Sequence, residues 1–161
     1  MRNIAVESLK NIPIPEQHIE IVERKGVGNP DYICDAIMDE ISISLSHEYI
    51  RSFGDILHHN VDKGLLVAGG TEKRFGGGDM IKPMELIIGD RATREAGGKE
   101  IDVNTIAINA ARGWIKKNLR FVDPDAHVNY RVVLSPGSEE LTAIFRAKGV
   151  VRVANDTSAA V

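Results

Sequence analysis

Cysteine is nearly absent: Cys34 is the only one in 161 residues. A lone cysteine excludes an internal disulfide and fits a reducing, cytoplasmic setting. Aromatic residues are scarce at 5%, but the hydrophobic share of 43% against 27% charged is that of a chain with a folded core. Excess positive charge is missing too. The net charge of −3 argues against a nucleic-acid binder held by phosphate electrostatics. No apolar run approaches the roughly 20 residues that span a bilayer, and the start Met1-Arg-Asn-Ile-Ala-Val-Glu-Ser8 lacks the apolar core of a secretion signal. No low-complexity tract, strict repeat or linker divides the chain.

The clearest local signal lies at residues 26–54. Asn29 suits an N-cap, Pro30 the first helical position, and Asp31 the positive end of the helix dipole. Ile33, Ile37, Ile41 and Leu45 recur at spacing four, which predicts a helix from about Pro30 to Arg51 with Gly54 beyond its end. Before it, Ile19 and Ile21 alternate with Glu20 and read as a short strand. After it, Ile56 to Gly70 favours one or two strands broken near Gly64, and Met84 to Ile88 another. Asn104 to Arg120 reads as a second helix with Ile106, Ala110 and Trp114 inward. Val128 to Leu134 reads as a strand, Pro136-Gly137 as a turn, and Ser138 as the cap of a short helix ending at Gly149. Val150 to Val153 is strand-like. The runs Leu65-Leu66-Val67 and Leu86-Ile87-Ile88 are apolar on consecutive positions, as strands covered on both faces require. The alternation is irregular and lacks an even βαβ rhythm. The fold class is α+β, mixed or antiparallel sheets with helices on one face.

Four segments have the residue types for chemistry. Gly26-Val-Gly-Asn-Pro-Asp31 leads into a helix N-terminus, where unpaired backbone N–H groups suit phosphate oxygens, and Asp31 and Asp35 share a face on which a carboxylate could hold Mg²⁺. From spacing alone, simple capping of a core helix is the favoured reading, since caps far outnumber anion sites. His58-His-Asn-Val-Asp62 is polar. On a regular strand His58, Asn60 and Asp62 share one face and His59 and Val61 the other, so both histidines cannot ligate one ion. Lys73-Arg-Phe-Gly-Gly-Gly78 offers cations and bare backbone for a phosphate, or a hinge. Ser135-Pro-Gly-Ser-Glu-Glu140 is a turn into a helix, whose glutamates would repel an anion without a metal. Cys34, mid-helix, reads as packing.

Taken in order, Glu23-Arg-Lys-Gly-Val-Gly-Asn-Pro-Asp31, Ile33-Cys-Asp35, Gly54-Asp-Ile-Leu-His-His-Asn60, Arg74-Phe-Gly-Gly-Gly78 and Ala154-Asn-Asp-Thr-Ser158 resemble archaeal-type S-adenosylmethionine synthetase. Residues 1–161 match the N-terminal portion of that family's longer chains, with internal α+β units interleaved and no boundary assignable. The resemblance implies three similar α+β units about a pseudo-threefold axis, and flat sheet faces that pair two subunits with active sites between them. It implies attack of methionine sulfur on C5′ of ATP, then hydrolysis of the expelled triphosphate to phosphate and diphosphate, aided by Mg²⁺ and K⁺. The partners it implies are ATP, methionine, and a second copy or a chain supplying the C-terminal portion.

Carried over by position, Asp31 matches a Mg²⁺-binding aspartate and Asp156 an aspartate contacting adenosine and methionine. Ser135, Pro136, Gly137, Ser138, Glu139 and Glu140 occupy an ATP-contact loop, and Asn60 and Asp62 a strand of polar, cation-side residues. Four departures accompany these matches. Asn29 stands where the family has a histidine that stabilises the triphosphate leaving group. Ser135-Pro-Gly-Ser138 replaces Gly-Gln-Gly-Ser, and Asn60-Val-Asp-Lys63 replaces Asn-Thr-Asp-Gln. The charged residues expected on the strand before the loop are altered around Arg131 and Val133. The expected activity is methionine adenosyl transfer. The alternatives are a catalytically silent paralogue serving as a binding or assembly subunit, and ATP-dependent adenosyl transfer to another acceptor.

Overall fold

The structure, a computed structural model, describes residues 5–8 and 10–137. Helix α1 spans Pro30–Phe53 and α2 spans Val103–Asn118. Strands β1 (His59–Val67), β4 (Met84–Ala92) and β7 (Val128–Ser135) form one sheet in the order β1-β4-β7. The β1–β4 pair is antiparallel and the β4–β7 pair parallel. Strands β2 (Gly70–Arg74) and β3 (Gly77–Lys82) make a separate hairpin, and β5 (Glu95–Ala96) and β6 (Lys99–Glu100) a two-residue one. This is the expected α+β architecture, with α1 packed on β1 and on α2, and α2 on β7.

Local chemistry sets the ends of α1. The Asn29 side-chain oxygen accepts the N–H groups of Asp31 and Tyr32, Pro30 opens the first turn, and Gly54 closes the helix at φ 78°, a left-handed conformation that costs glycine no Cβ clash. Ile33, Cys34, Ile37, Met38, Ile41, Leu45 and Tyr49 form its buried stripe. Each large side chain so buried is worth about 1.5–3 kcal/mol over exposure. The helix runs antiparallel to β1: Cys34 and Met38 lie against Gly64, and Ser42 and Ser46 against His59. A Cβ on Gly64 would stand 3.2 Å from that of Cys34, so the glycine sets how closely helix and strand approach.

Several sequence expectations are corrected. Residues 19–23 form no strand; Ile19, Ile21 and Val22 are exposed, with no sheet partner among the described residues to supply ladder hydrogen bonds. The break in the 56–70 region falls at residues 68–69 rather than at Gly64, which is retained within β1. The Phe75–Gly78 glycines close the β2–β3 hairpin, with Arg74 opposite Gly77 and paired to Asp79. On α2 the buried stripe is Val103, Ala107, Ala111 and Ile115, one position beyond the expected one, because packing against α1 and β7 selects the face that is covered. Ile106, Ala110 and Trp114 pack at its margin. Leu65 and Val67 are exposed, so β1 is covered on one face only among the described residues. The expected helix after Ser138 and strand Val150–Val153 lie outside the described residues.

Candidate functional site

The first group of candidates gathers at the N-terminus of α1. Asn29 is half-buried, and its N–H closes a turn onto the Gly26 carbonyl at 2.9 Å. Its side-chain oxygen accepts from Asp31 N at 3.0 Å and Tyr32 N at 3.4 Å. Asn29 is therefore a cap, as its sequence position predicts, and its NH₂ is the end of the amide left to donate. The Asp31 carboxylate is exposed and ion-paired with Lys25, whose amine that carboxylate holds above its ordinary pKa. Tyr32 anchors the turn by tilting over Trp114 of α2 at 6.4 Å. Behind it lies an apolar cavity of about 220 Å³, lined by Gly28, Pro30, Ile33, Leu66, Met80 and Met84. It places the root of the β2–β3 hairpin beside the helix entry.

The second group lies where β1 begins and β4 and β7 end. Asn60 donates to the Asp90 carboxylate at 3.1 Å, and Asp62 hydrogen-bonds the same carboxyl. The register shifts between Asn60 and Lys63 at a β-bulge, yet Asn60 and Asp62 share the Asp90 side and His59 and Val61 the other, as the alternation expects; only His58 departs from it. Val61 turns into the core, His58 is buried before the strand starts, and His59 points to α1. His59 Nδ1 donates to the Leu57 carbonyl at 2.9 Å, which leaves Nε2 to accept from Ser42 Oγ at 2.9 Å. Asp90 has φ 102°, a conformation that non-glycine residues adopt at a cost of roughly 1–3 kcal/mol. Burial, and then Asp62, push its carboxyl up from 3.8 to about 6. Ser135 ends β7 opposite Arg91, and Pro136 and Gly137 follow it out of the sheet.

These two groups do not meet within the described residues. Asn29 and Tyr49 are 20 residues apart on α1, about 30 Å of helix. Ile33 lies beside Met84 at one end of the sheet, whereas the Tyr49 hydroxyl donates to the Thr93 carbonyl at 2.7 Å at the other. Asn29 and Asp31 thus sit at one end of the layer, and Asn60, Asp62, Ser135, Pro136 and Gly137 at the opposite end. Ser138, Glu139, Glu140 and Asp156 lie outside the described residues. Among the described residues no three His, Cys, Asp or Glu side chains cluster as a metal site, and no helix is long and apolar enough to cross a membrane. Cys34 is buried with its thiol pushed up by desolvation, as a packing residue requires.

Sequence reading missed Lys25 as the partner of Asp31, and Asp90 as the partner of Asn60. The Gly89-Asp90 pair inside an apolar strand was the available signal, since such residues mark irregular pairing. A wider groove of about 580 Å³ runs between the last turn of α1 and the first of α2, and none of the sequence candidates lines it.

The model of the S-adenosylmethionine synthetase (AdoMet synthetase) family matches residues 2–161. The chain is similar to the probable S-adenosylmethionine synthase of Aquifex aeolicus (strain VF5), 48% identical over 161 residues that cover 98% of this chain and 40% of that protein. Its identity to the S-adenosylmethionine synthase of Methanothrix thermoacetophila is 47% over 158 residues, with the same two coverages. To that of Saccharolobus solfataricus it is 44% over 162 residues, again 98% and 40%. The chain spans 40% of the length of each of these curated relatives.

Proposed function

This chain belongs to the S-adenosylmethionine synthetase family, and we propose that it supplies the nucleotide-holding N-terminal part of a methionine adenosyltransferase using ATP, methionine, Mg²⁺ and K⁺. The observation that carries the reading is the α1 N-terminus. There a capped, glycine-hinged helix start presents positive backbone potential next to one exposed carboxylate. Polyphosphate oxygens suit such an end. Mg²⁺ is commonly held by one or two carboxylates plus substrate phosphates and water, so a single Asp31 fits that role. Bound there, the ion would neutralise charge building on the departing triphosphate. Asn29 would donate from its amide to the same oxygens, and Lys25 would exchange Asp31 for phosphate.

The separation of the two residue groups favours a site completed by a second copy. The uncovered face of the sheet carries Leu65 and Val67 on β1, Ile87 on β4 and Val133 on β7. Leu65 faces Ile87 across one ladder, and Val133 faces Gly89 across the next. Two such faces packed antiparallel would bring Asn29 and Asp31 of one copy towards the Ser135 end of the other.

A second reading is a catalytically silent binding or assembly subunit. Asn29 supports it, because a carboxamide whose oxygen is committed to the cap carries no charge and transfers no proton. A third, adenosyl transfer to another acceptor, is supported by the altered residues at both ends. Titration of the chain with Mg²⁺–ATP in a calorimeter tests the shared premise. Saturable binding abolished by chelating Mg²⁺ is expected, and the absence of binding at millimolar nucleotide would defeat the first and third readings.

A further inference from the structure

One side chain from outside the sheet holds the end of β7. Arg94, two residues beyond β4, donates from Nη2 to the Leu134 carbonyl at 2.9 Å and to Asn104 Oδ1 at 2.8 Å. The two hydrogens of one guanidinium nitrogen therefore serve two elements, the last part of β7 and the first turn of α2. The Arg94 carbonyl in turn accepts the Ile101 N–H at 2.9 Å, so its backbone is fixed where the chain re-enters the layer before α2. β7 needs such a fastening. Among the described residues it is paired on one side only, its ladder ends at Ser135 opposite Arg91, and Pro136 has no N–H with which to extend it.

We infer that Arg94 is a positioning residue for the loop that begins at Ser135: by tying the Leu134 carbonyl to Asn104 it fixes the direction in which Ser135, Pro136 and Gly137 leave the sheet. The inference rests on the reading of that loop as a nucleotide contact. Arginine suits the task better than lysine, because its planar fork presents both hydrogens in a fixed geometry, whereas an ammonium is a freely rotating point charge. A purely structural role would lower stability and leave the folded protein's nucleotide affinity alone. A positioning role makes affinity follow the order of the loop.

The test pairs Mg²⁺–ATP calorimetry with amide hydrogen exchange at Ser135 and Gly137, on the wild-type chain, Arg94→Met and Arg94→Lys, well below their unfolding temperatures. Arg94→Met is expected to weaken nucleotide binding at least fivefold and to speed exchange at both amides, with Arg94→Lys recovering part of each. Unchanged affinity in Arg94→Met overturns the inference, and so does weakened affinity with unchanged exchange, which would mean that the charge acts directly. Should Arg94→Met fail to fold, Asn104→Ala removes the exposed anchor of the same tether and is read by the same two measurements. A wild-type chain that binds no nucleotide defeats the functional reading and this inference together. Wild-type binding with an indifferent variant defeats the inference alone.

Discussion

The Asn29 carboxamide oxygen accepts the backbone N–H of Asp31 at 3.0 Å, so the two residues proposed to meet the triphosphate are joined by the helix cap itself. A histidine at position 29 would exchange that cap for a group able to carry charge. Asn29→His is expected to cost about 0.5–2 kcal/mol of stability through the lost cap. It should raise turnover in a preparation containing the complete active site. A preorganised donor to a developing oxyanion is worth on the order of a hundred- to a thousand-fold, part of which the asparagine amide already supplies. Steady-state kinetics alongside thermal melting reads both effects. A variant that binds ATP yet gains no rate leaves two readings: a site silenced by the other departures as well, or a protein that does not perform this reaction. Restoring Gly-Gln-Gly-Ser alongside Asn29→His separates them, because only the first expects activity to appear.

Asp31→Ala separates binding from folding. The Lys25–Asp31 pair is exposed, so its loss should change stability by less than about 1 kcal/mol. Affinity for Mg²⁺–ATP should fall at least tenfold, about 1.4 kcal/mol. Equal affinities in a folded variant would leave Asp31 with only its helix-dipole role.

The Asp62–Asp90 pair makes stability depend on pH. Asp90 is raised in the folded state from 3.8 to about 6, by burial first and by Asp62 second, with Lys63 of β1 and Arg91 of β4 opposing. An acid that binds its proton more tightly when folded stabilises the fold in acid. That contribution is complete below pH 3.8, declines as pH rises, and is gone above about 6. Buried His58, held below its ordinary value mainly by desolvation, acts in the opposite sense and destabilises the fold as acid forces it to charge. The difference between wild type and Asp90→Asn isolates the carboxyl. The variant's melting midpoint should exceed that of the wild type at pH 8, with the gap closing towards pH 4. A gap independent of pH would show that relief of backbone interactions, not proton binding, is responsible.

Tyr49 is fully buried, and its hydroxyl reaches the Thr93 carbonyl at 2.7 Å, joining the last turns of α1 to the end of β4. Tyr49→Phe should destabilise by about 1–2 kcal/mol, because it strands a partly buried carbonyl while keeping the ring. Chemical denaturation gives the value. A neutral result would mean that water replaces the hydroxyl there.

Legibility in the sequence followed the range of the interaction. The cap at Asn29, the stripe from Ile33 to Leu45 and the stop at Gly54 depend on neighbours within four residues, and the structure keeps all three. The strand at Ile19 fails because alternation creates a strand only where a neighbour accepts its hydrogen bonds. The face shared by Asn60 and Asp62 was legible from alternation, whereas the bulge was not, because it belongs to the pairing with β4 and not to β1 alone. His58 departs because it is buried before the strand starts.

The sequence by itself determined the family, the α+β class and the chemistry available at the start of α1, since each is written in the identity and spacing of adjacent residues. Only the tertiary structure decided that α1 lies antiparallel along β1, with its N-terminus at one end of the sheet and Asn60, Asp62 and Ser135 at the other. It alone gave Asn60 the partner Asp90, and Leu134 the partner Arg94. The direction in which a helix crosses a sheet is set by side-chain packing over many residues, including the gap left by Gly64, and no short stretch of chain encodes it.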